Sequence, residues 1–244
     1  MKISSEWFPF GLIDESKKII FGFHCAGGSA SSYREWTQNT LMDFVPIELP
    51  GRGKRIREKC VENIEVLTDA LVVPILEATK EREYSFYGHS MGALIAFKVA
   101  YKLQQLGKGP QKLIVAGYPA PISTSSVKKI SCLNDIALIE ILRKLGGTPE
   151  EILIDEEMMD FILPIVRSDY RLLESFRYKD EILDIPIIVH IGNEDQSMNM
   201  ENASLWKNVT NKSCIVKRFR GSHFFIYESG ELYLKKLADD FDAI

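Results

Sequence analysis

Six short apolar runs, each bounded by turn residues, alternate along this chain with longer stretches whose apolar residues recur three and four apart. The runs are Lys18 to Phe23 (KIIFGF), Phe44 to Leu49 (FVPIEL), Tyr84 to Gly88 (YSFYG), Lys112 to Gly117 (KLIVAG), Pro186 to Ile191 (PIIVHI) and Cys214 to Phe219 (CIVKRF). Continuous β-branched and aromatic runs suit strands buried on both faces, and a helix between successive strands returns the chain in the same direction. The pattern predicts the α/β class: a mostly parallel central sheet flanked by helices. Helical spacing is clearest over Asn63 to Lys80, Met91 to Gly107 and Gly230 to Ile244, with Gly107 placed as a helix-ending glycine and Pro74 expected to kink the first.

One interval breaks the alternation. Between Gly117 and Pro186 the pattern is mostly helical, including DIALIEILRKLGG and DEEMMDFILPIV, more than one crossover helix can use. Compact domains rarely hold unstructured loops beyond about 15 residues. The excess is therefore read as an inserted helical lid, residues 120–185, on a single domain spanning 1–244. Hydrophobic residues make up 45% of the 244, enough for one continuous core.

Charge and cysteine usage narrow the partners. Lys and Arg total 30 against 34 Asp and Glu, a net charge of -4, so nothing draws the chain generally to nucleic acid or to an anionic membrane. Cys25, Cys60, Cys132 and Cys214 show no paired C-x-x-C spacing and read as reduced thiols. The first residues carry Glu6, Asp14 and Glu15 and make a poor signal peptide, and no run of about 18 apolar residues occurs. The expectation is a soluble, cytoplasmic protein.

Gly88-His89-Ser90-Met91-Gly92 satisfies G-x-S-x-G. The pentapeptide is weak by itself, but here it follows an expected strand and opens an expected helix, the strand–turn–helix elbow that lifts a serine above the sheet edge. Side chains at Gly88 or Gly92 would collide with the neighbouring strand or helix, and the helix N-terminus adds positive charge beside a developing oxyanion. Serine needs a base, and four histidines are available: His24, His89, His190 and His223. His223, after the last strand, is best placed for the order Ser, acid, His, while His190 reads as a core histidine within a strand. The orienting acid comes from Gly192-Asn193-Glu194-Asp195; Asp195 is chosen, with Glu194 as the alternative. Two backbone amides should hold the oxyanion, one from Met91 and one from the glycine-rich loop His24 to Ser29, which lacks both G-x-G-x-x-G and a Gly-Lys-Ser/Thr ending and so is no nucleotide cradle.

With these pieces in order, the chain resembles the α/β-hydrolases and, more narrowly, the type II thioesterases that accompany modular polyketide and nonribosomal peptide synthetases. Members carry an F-P-x-A-G-G-S/A loop, matched by Phe23-His24-Cys25-Ala26-Gly27-Gly28-Ser29; a P-G-R/H-G turn, matched by Pro50-Gly51-Arg52-Gly53; and G-H-S-M-G at the elbow. Leu145 to Pro149 (LGGTP) and Arg167 to Arg171 (RSDYR) match the family's lid region and are the specific part, because many hydrolases share the elbow. The resemblance runs nearly end to end. It implies Ser90 as nucleophile, His223 as base, Asp195 as orienting acid, and the Ala26 and Met91 amides as oxyanion hole. One departure is His24, where the family usually has proline; it leaves the amides in place, bears on the rigidity of the loop and adds a titratable group.

The implied activity is an editing step in polyketide, nonribosomal peptide and hence antibiotic biosynthesis: hydrolysis of aberrant acyl groups from the phosphopantetheine arm of acyl or peptidyl carrier proteins. The implied partners are those carrier domains; no cofactor or metal is called for, since the substrate carries the phosphopantetheine. Met158, Met159, Phe161, Ile162 and Leu163 in the lid are candidates to face substrate, although most fit ordinary helix core better. The basic run Arg52 to Lys59 (RGKRIREK) reads as a solvated loop, with carrier docking the alternative. Rival readings are a carboxylesterase or lipase acting on oxygen esters, and a non-catalytic receptor on a hydrolase scaffold.

Overall fold

In the computed structural model, which describes residues 6–11, 18–38, 42–80, 82–123 and 129–242, the six apolar runs become strands of one sheet: β1 (Ile19–Phe23), β2 (Asp43–Pro46), β3 (Tyr84–His89), β4 (Leu113–Ala116), β5 (Ile187–Gly192) and β6 (Cys214–Phe219). Their order is β2-β1-β3-β4-β5-β6, and every pairing is parallel. Helices α1 (Ile64–Thr79) and α2 (Met91–Gln105) follow β2 and β3. This is the expected α/β-hydrolase arrangement.

Side-chain alternation splits the core into two layers. Phe86, Leu113, Val115, Ile187 and Val189 join α1 and α2 on one face of the sheet. Their neighbours Tyr87, Ile114, Ala116 and Ile188 face the opposite layer, with Tyr33, Trp36 and Phe44. A period of two is what sends successive side chains to opposite faces. The second edge of FVPIEL does not extend as expected: β2 stops at Pro46, and the Glu48 amide turns away to donate to the Trp7 carbonyl at 2.9 Å. Asn63 caps α1 by accepting from the Glu65 and Val66 amides, and the helix runs unbroken past Pro74.

Between β4 and β5 the chain forms α3 (Asp135–Leu145), α4 (Glu150–Leu153) and α5 (Glu156–Ser175). Here DEEMMDFILPIV and RSDYR are one helix, passing through Pro164. Its apolar stripe, Met159, Leu163, Val166 and Tyr170, packs with Leu138, Leu142 and Leu153 into a cluster of its own. That spacing corrects the list of substrate-facing candidates. Met159 and Leu163 are core, Met158 and Phe161 point to solvent, and Ile162 alone of the five lines the cavity described below.

After β5 come α6 (Met200–Ser204), α7 (Phe225–Glu228) and α8 (Gly230–Asp242); the last two residues of the helix expected over Gly230 to Ile244 lie outside the described residues. Helix α8 is tied to the sheet by polar groups as well as by Tyr233, Leu237 and Phe241. Lys112 Nζ donates to the carbonyls of Asp240 (2.7 Å) and Phe241 (3.1 Å). His190 lies between the Tyr233 hydroxyl and the Asp240 carboxylate, 3.0 Å from each, and Lys217 pairs with the same carboxylate. His190 is thus the core histidine its strand position suggested. Among the described residues no helix is long and apolar enough to cross a membrane.

Candidate active site

Four segments leave the carboxyl ends of the parallel strands on one side of the sheet and meet there, where open α/β sheets bind their ligands. The first is the turn after β3. Ser90 sits between β3 and α2 at φ 53°, ψ -121°, a backbone region that costs a non-glycine residue on the order of 1–3 kcal/mol. Its surroundings hold it there: the Ser90 amide donates to the Ala116 carbonyl at 2.8 Å, and the Ser90 carbonyl accepts from Ala93 at 2.9 Å. A Cβ on Gly92 would lie 2.0 Å from the Phe23 carbonyl oxygen, and one on Gly88 would lie 2.3 Å from the Gly92 oxygen. Both glycines therefore let α2 press against β1 and β3. Met91, the first residue of α2, is buried directly behind the serine.

The second and third segments bring acid and imidazole together. His223 Nδ1 donates to Asp195 Oδ2 at 2.8 Å, and both residues are buried. That bond fixes the tautomer, leaving Nε2 as the acceptor. Burial by itself would raise the Asp195 carboxyl, but the hydrogen bond and charge of His223, with two donors from Ser197, outweigh it and hold the carboxyl below the usual range. Glu194, the alternative acid, is exposed.

Two residues in this arrangement escaped sequence reasoning. The Ser197 amide and hydroxyl both donate to Asp195 Oδ1, at 2.8 and 2.6 Å, and the hydroxyl lies 3.2 Å from His223 Nδ1. His89, inside the elbow, donates from Nε2 to the His223 carbonyl at 2.9 Å. Burial, then the neighbouring His223, lower the pKa of His89 to about 3, so it remains neutral.

The fourth segment is the loop after β1, of which Cys25, Ala26, Gly27 and Gly28 line the cavity. His24 precedes them, buried, its Nδ1 donating to the Cys25 carbonyl at 2.8 Å. Burial and the nearby Arg52 cation lower its pKa to about 3, so it adds no titration to the site near neutrality. Burial and Asp169 push the Cys25 thiol up to about 12, which keeps it protonated.

The basic run after β2 differs from its sequence reading. Arg52 and Arg55 are buried, whereas Lys54, Arg57 and Lys59 are exposed. Arg55 pairs with Glu58 and lies over the Trp7 ring. Arg52 makes a two-pronged contact with Asp169 of the RSDYR motif, Nη1 to Oδ2 and Nη2 to Oδ1, both 2.7 Å. Two charges taken from water stay buried only when paired, and removing one partner of such a pair costs about 3–5 kcal/mol. Two of the run's five cations are therefore interior structure, neither solvated nor free to dock.

Ser90 and His223 open onto one cavity of about 240 Å³, bounded by the loop after β1 and by Leu142, Ile162, Val166 and Tyr170 of the β4–β5 segment. An apolar chamber ending at a hydroxyl, an imidazole–carboxylate couple and a glycine-rich backbone loop is equipped for acyl transfer.

A family model described as a thioesterase domain matches residues 18–244. The gramicidin S biosynthesis protein GrsT of Aneurinibacillus migulanus is 33% identical over 230 residues, covering 92% of this chain and 90% of that protein. Among solved structures, the type II thioesterase BorB from the borrelidin biosynthetic cluster superposes with a TM-score of 0.87 at 30% identity, covering 98% of this chain and 99% of the other. The RedJ thioesterase of the prodiginine pathway in Streptomyces coelicolor gives 0.84 at 31% identity, covering 91% and 89%.

Proposed function

The chain belongs to the thioesterase family and is a thioester hydrolase of the serine type, and from that premise we propose that it acts as a type II, editing thioesterase, removing aberrant acyl groups from the phosphopantetheine arm of acyl or peptidyl carrier proteins in polyketide or nonribosomal peptide assembly. The observation that carries this reading is the His223–Asp195 couple with its free Nε2, opening onto the same cavity as Ser90. Its relatives support the pathway: GrsT is named for gramicidin S biosynthesis and BorB for the borrelidin cluster.

The reaction runs in two halves. His223 Nε2 takes the Ser90 proton as Oγ attacks the thioester carbonyl, and the amides of Ala26 and Met91 hold the oxygen as it turns negative. The carbon–sulfur bond breaks, His223 returns the proton to the departing thiol, and an acyl-serine remains. Water, deprotonated by the same nitrogen, attacks the acyl-serine; the serine oxygen leaves with that proton, and the acid is released. Asp195 stays ionised throughout, stabilising the imidazolium that forms in each half. Side chains and backbone amides of this chain carry every step. The segment Ala120 to Ile185 acts as the lid over the acyl chamber.

Mass spectrometry of an acylated carrier protein before and after incubation tests the reading. Loss of the acyl mass with the phosphopantetheine arm retained is expected, together with labelling by a fluorophosphonate that Ser90→Ala abolishes. An acylated carrier left intact, alongside fast turnover of a p-nitrophenyl ester, would move the assignment to oxygen esters.

A further inference from the structure

The chemistry above leaves a buried ion pair without a part. Asp169, on α5, is 1% exposed and Arg52 4%. Besides its two bonds to Arg52, Asp169 makes a third: Oδ2 accepts from the Gly27 amide at 2.8 Å, inside the loop that lines the cavity beside Ser90. Arg52 Nη1 also approaches the Gly28 carbonyl at 3.4 Å. The far end of the loop is fixed the same way, the Ala30 amide donating to the buried Glu48 carboxylate at 3.1 Å. Gly27 stands at φ +70° and its amide belongs to the peptide plane that directly follows Ala26. A plane anchored by a buried carboxylate cannot turn without stranding that carboxylate's lone pair.

We propose that Asp169, neutralised by Arg52, is a positioning residue for the oxyanion loop: it grips Gly27 so that the adjoining Ala26 amide stays aimed at the acyl oxygen, and it makes that alignment depend on helix α5 being seated. This rests on the thioester-hydrolase reading above. The arginine is needed on electrostatic grounds. A lone carboxylate against the loop would oppose the negative charge forming on the acyl oxygen, whereas the pair brings no net charge. Seating and catalysis are thereby coupled, since the atom that α5 contributes touches the loop itself.

Two double variants of the full chain separate positioning from support. Arg52→Gln with Asp169→Asn removes both charges but keeps an oxygen for Gly27. Arg52→Met with Asp169→Leu fills the same space and offers none; apolar replacement of a buried pair is often neutral for stability. Hydrolysis of an acyl N-acetylcysteamine thioester is followed beside thermal melting. The apolar pair is expected to melt near wild type yet lose about 100-fold in kcat with KM little changed, the loss typical of one oxyanion donor. The amide pair should keep kcat within about threefold. An apolar pair with wild-type kcat, or equal losses in both variants, overturns the proposal. Wild type alone gives an independent check should a variant not fold: the Gly27 amide, in an exposed residue, should exchange roughly 100-fold more slowly than in an unstructured chain, and fast exchange refutes the tie. A wild-type protein that hydrolyses no thioester would sink the functional reading and this inference together.

Discussion

Adding one methyl group at Gly92 tests why the elbow carries glycine there. A Cβ at that position would stand 2.0 Å from the Phe23 carbonyl oxygen, 2.5 Å from its carbon and 2.7 Å from the His24 oxygen, all backbone atoms of β1 and the loop beyond. Ordinary contact begins at 3.4 Å, so α2 must back away from β1 by more than an ångström. Every residue of α2 from Met91 to Ala100 is buried, so the retreat disturbs close packing on several sides. Overpacking of this kind costs about 1–3 kcal/mol. For a chain of this size that lowers the melting temperature by roughly 3–10 °C. The larger effect should be on rate, because α2 carries Ser90 and Met91 away from the loop after β1, and a displacement of about 1 Å costs on the order of 100-fold. Gly92→Ala is therefore expected to lose far more activity than stability. The control is Gly107→Ala: that glycine sits at φ +68° with nothing within 4 Å, so alanine there should cost about 1 kcal/mol of backbone strain and leave the rate alone. Thermal melts and initial rates on the two variants decide it. Equal activity in both would refute the close-approach argument.

Three further outcomes follow from the site and the charge network. Asp195→Asn should lower kcat by about 10⁴-fold by losing the tautomer control, while Glu194→Gln should leave it within a factor of about two; a more damaging Glu194→Gln would reassign the acid. Ser197→Ala removes a 2.6 Å donor to Asp195 and should cost about tenfold in kcat at unchanged KM. Acid stability should fall in two stages. His24 and His89, whose pKa values burial lowers from 6.5 to about 3, disfavour the fold increasingly as pH drops below 6.5, because the unfolded chain takes up their protons first. Burial pushes Glu65 up, but Lys98 and Lys102 prevail and lower it from 4.5 to about 2, so its contribution is complete above 4.5 and is lost as pH falls toward 2. Urea midpoints across pH 7 to 2 should show both stages, with His24→Gln flattening the upper one and Glu65→Gln the lower.

The strands were legible because burial on both faces leaves an unbroken apolar run, and the elbow because only glycine tolerates its crowding. Ser90, His223 and Asp195 stood out by chain order and turn chemistry. Ser197 and His89 did not: each is a polar residue near a motif, and only folding brings it to its partner. The run Arg52 to Lys59 misled for a related reason. Local composition makes five cations look like a wet surface, yet the partner that takes Arg52 inside, Asp169, is 117 residues away. The α5 residues were read without a helix phase, which alone decides that Met159 goes inward and Phe161 outward. Pro164 lies inside α5, which continues through it.

The link between Lys112 and the final turn bears on how this chain is made. A polypeptide emerges from the ribosome in order, and Lys112, just before β4, appears long before the carbonyls of Asp240 and Phe241 that it will use. Until then the ammonium group lacks those carbonyls and His190 lacks the Asp240 carboxylate, so the nascent protein must wait for helix α8 before its centre is settled. Truncation before Asp240 should for that reason damage the middle of the molecule as well as helix α8.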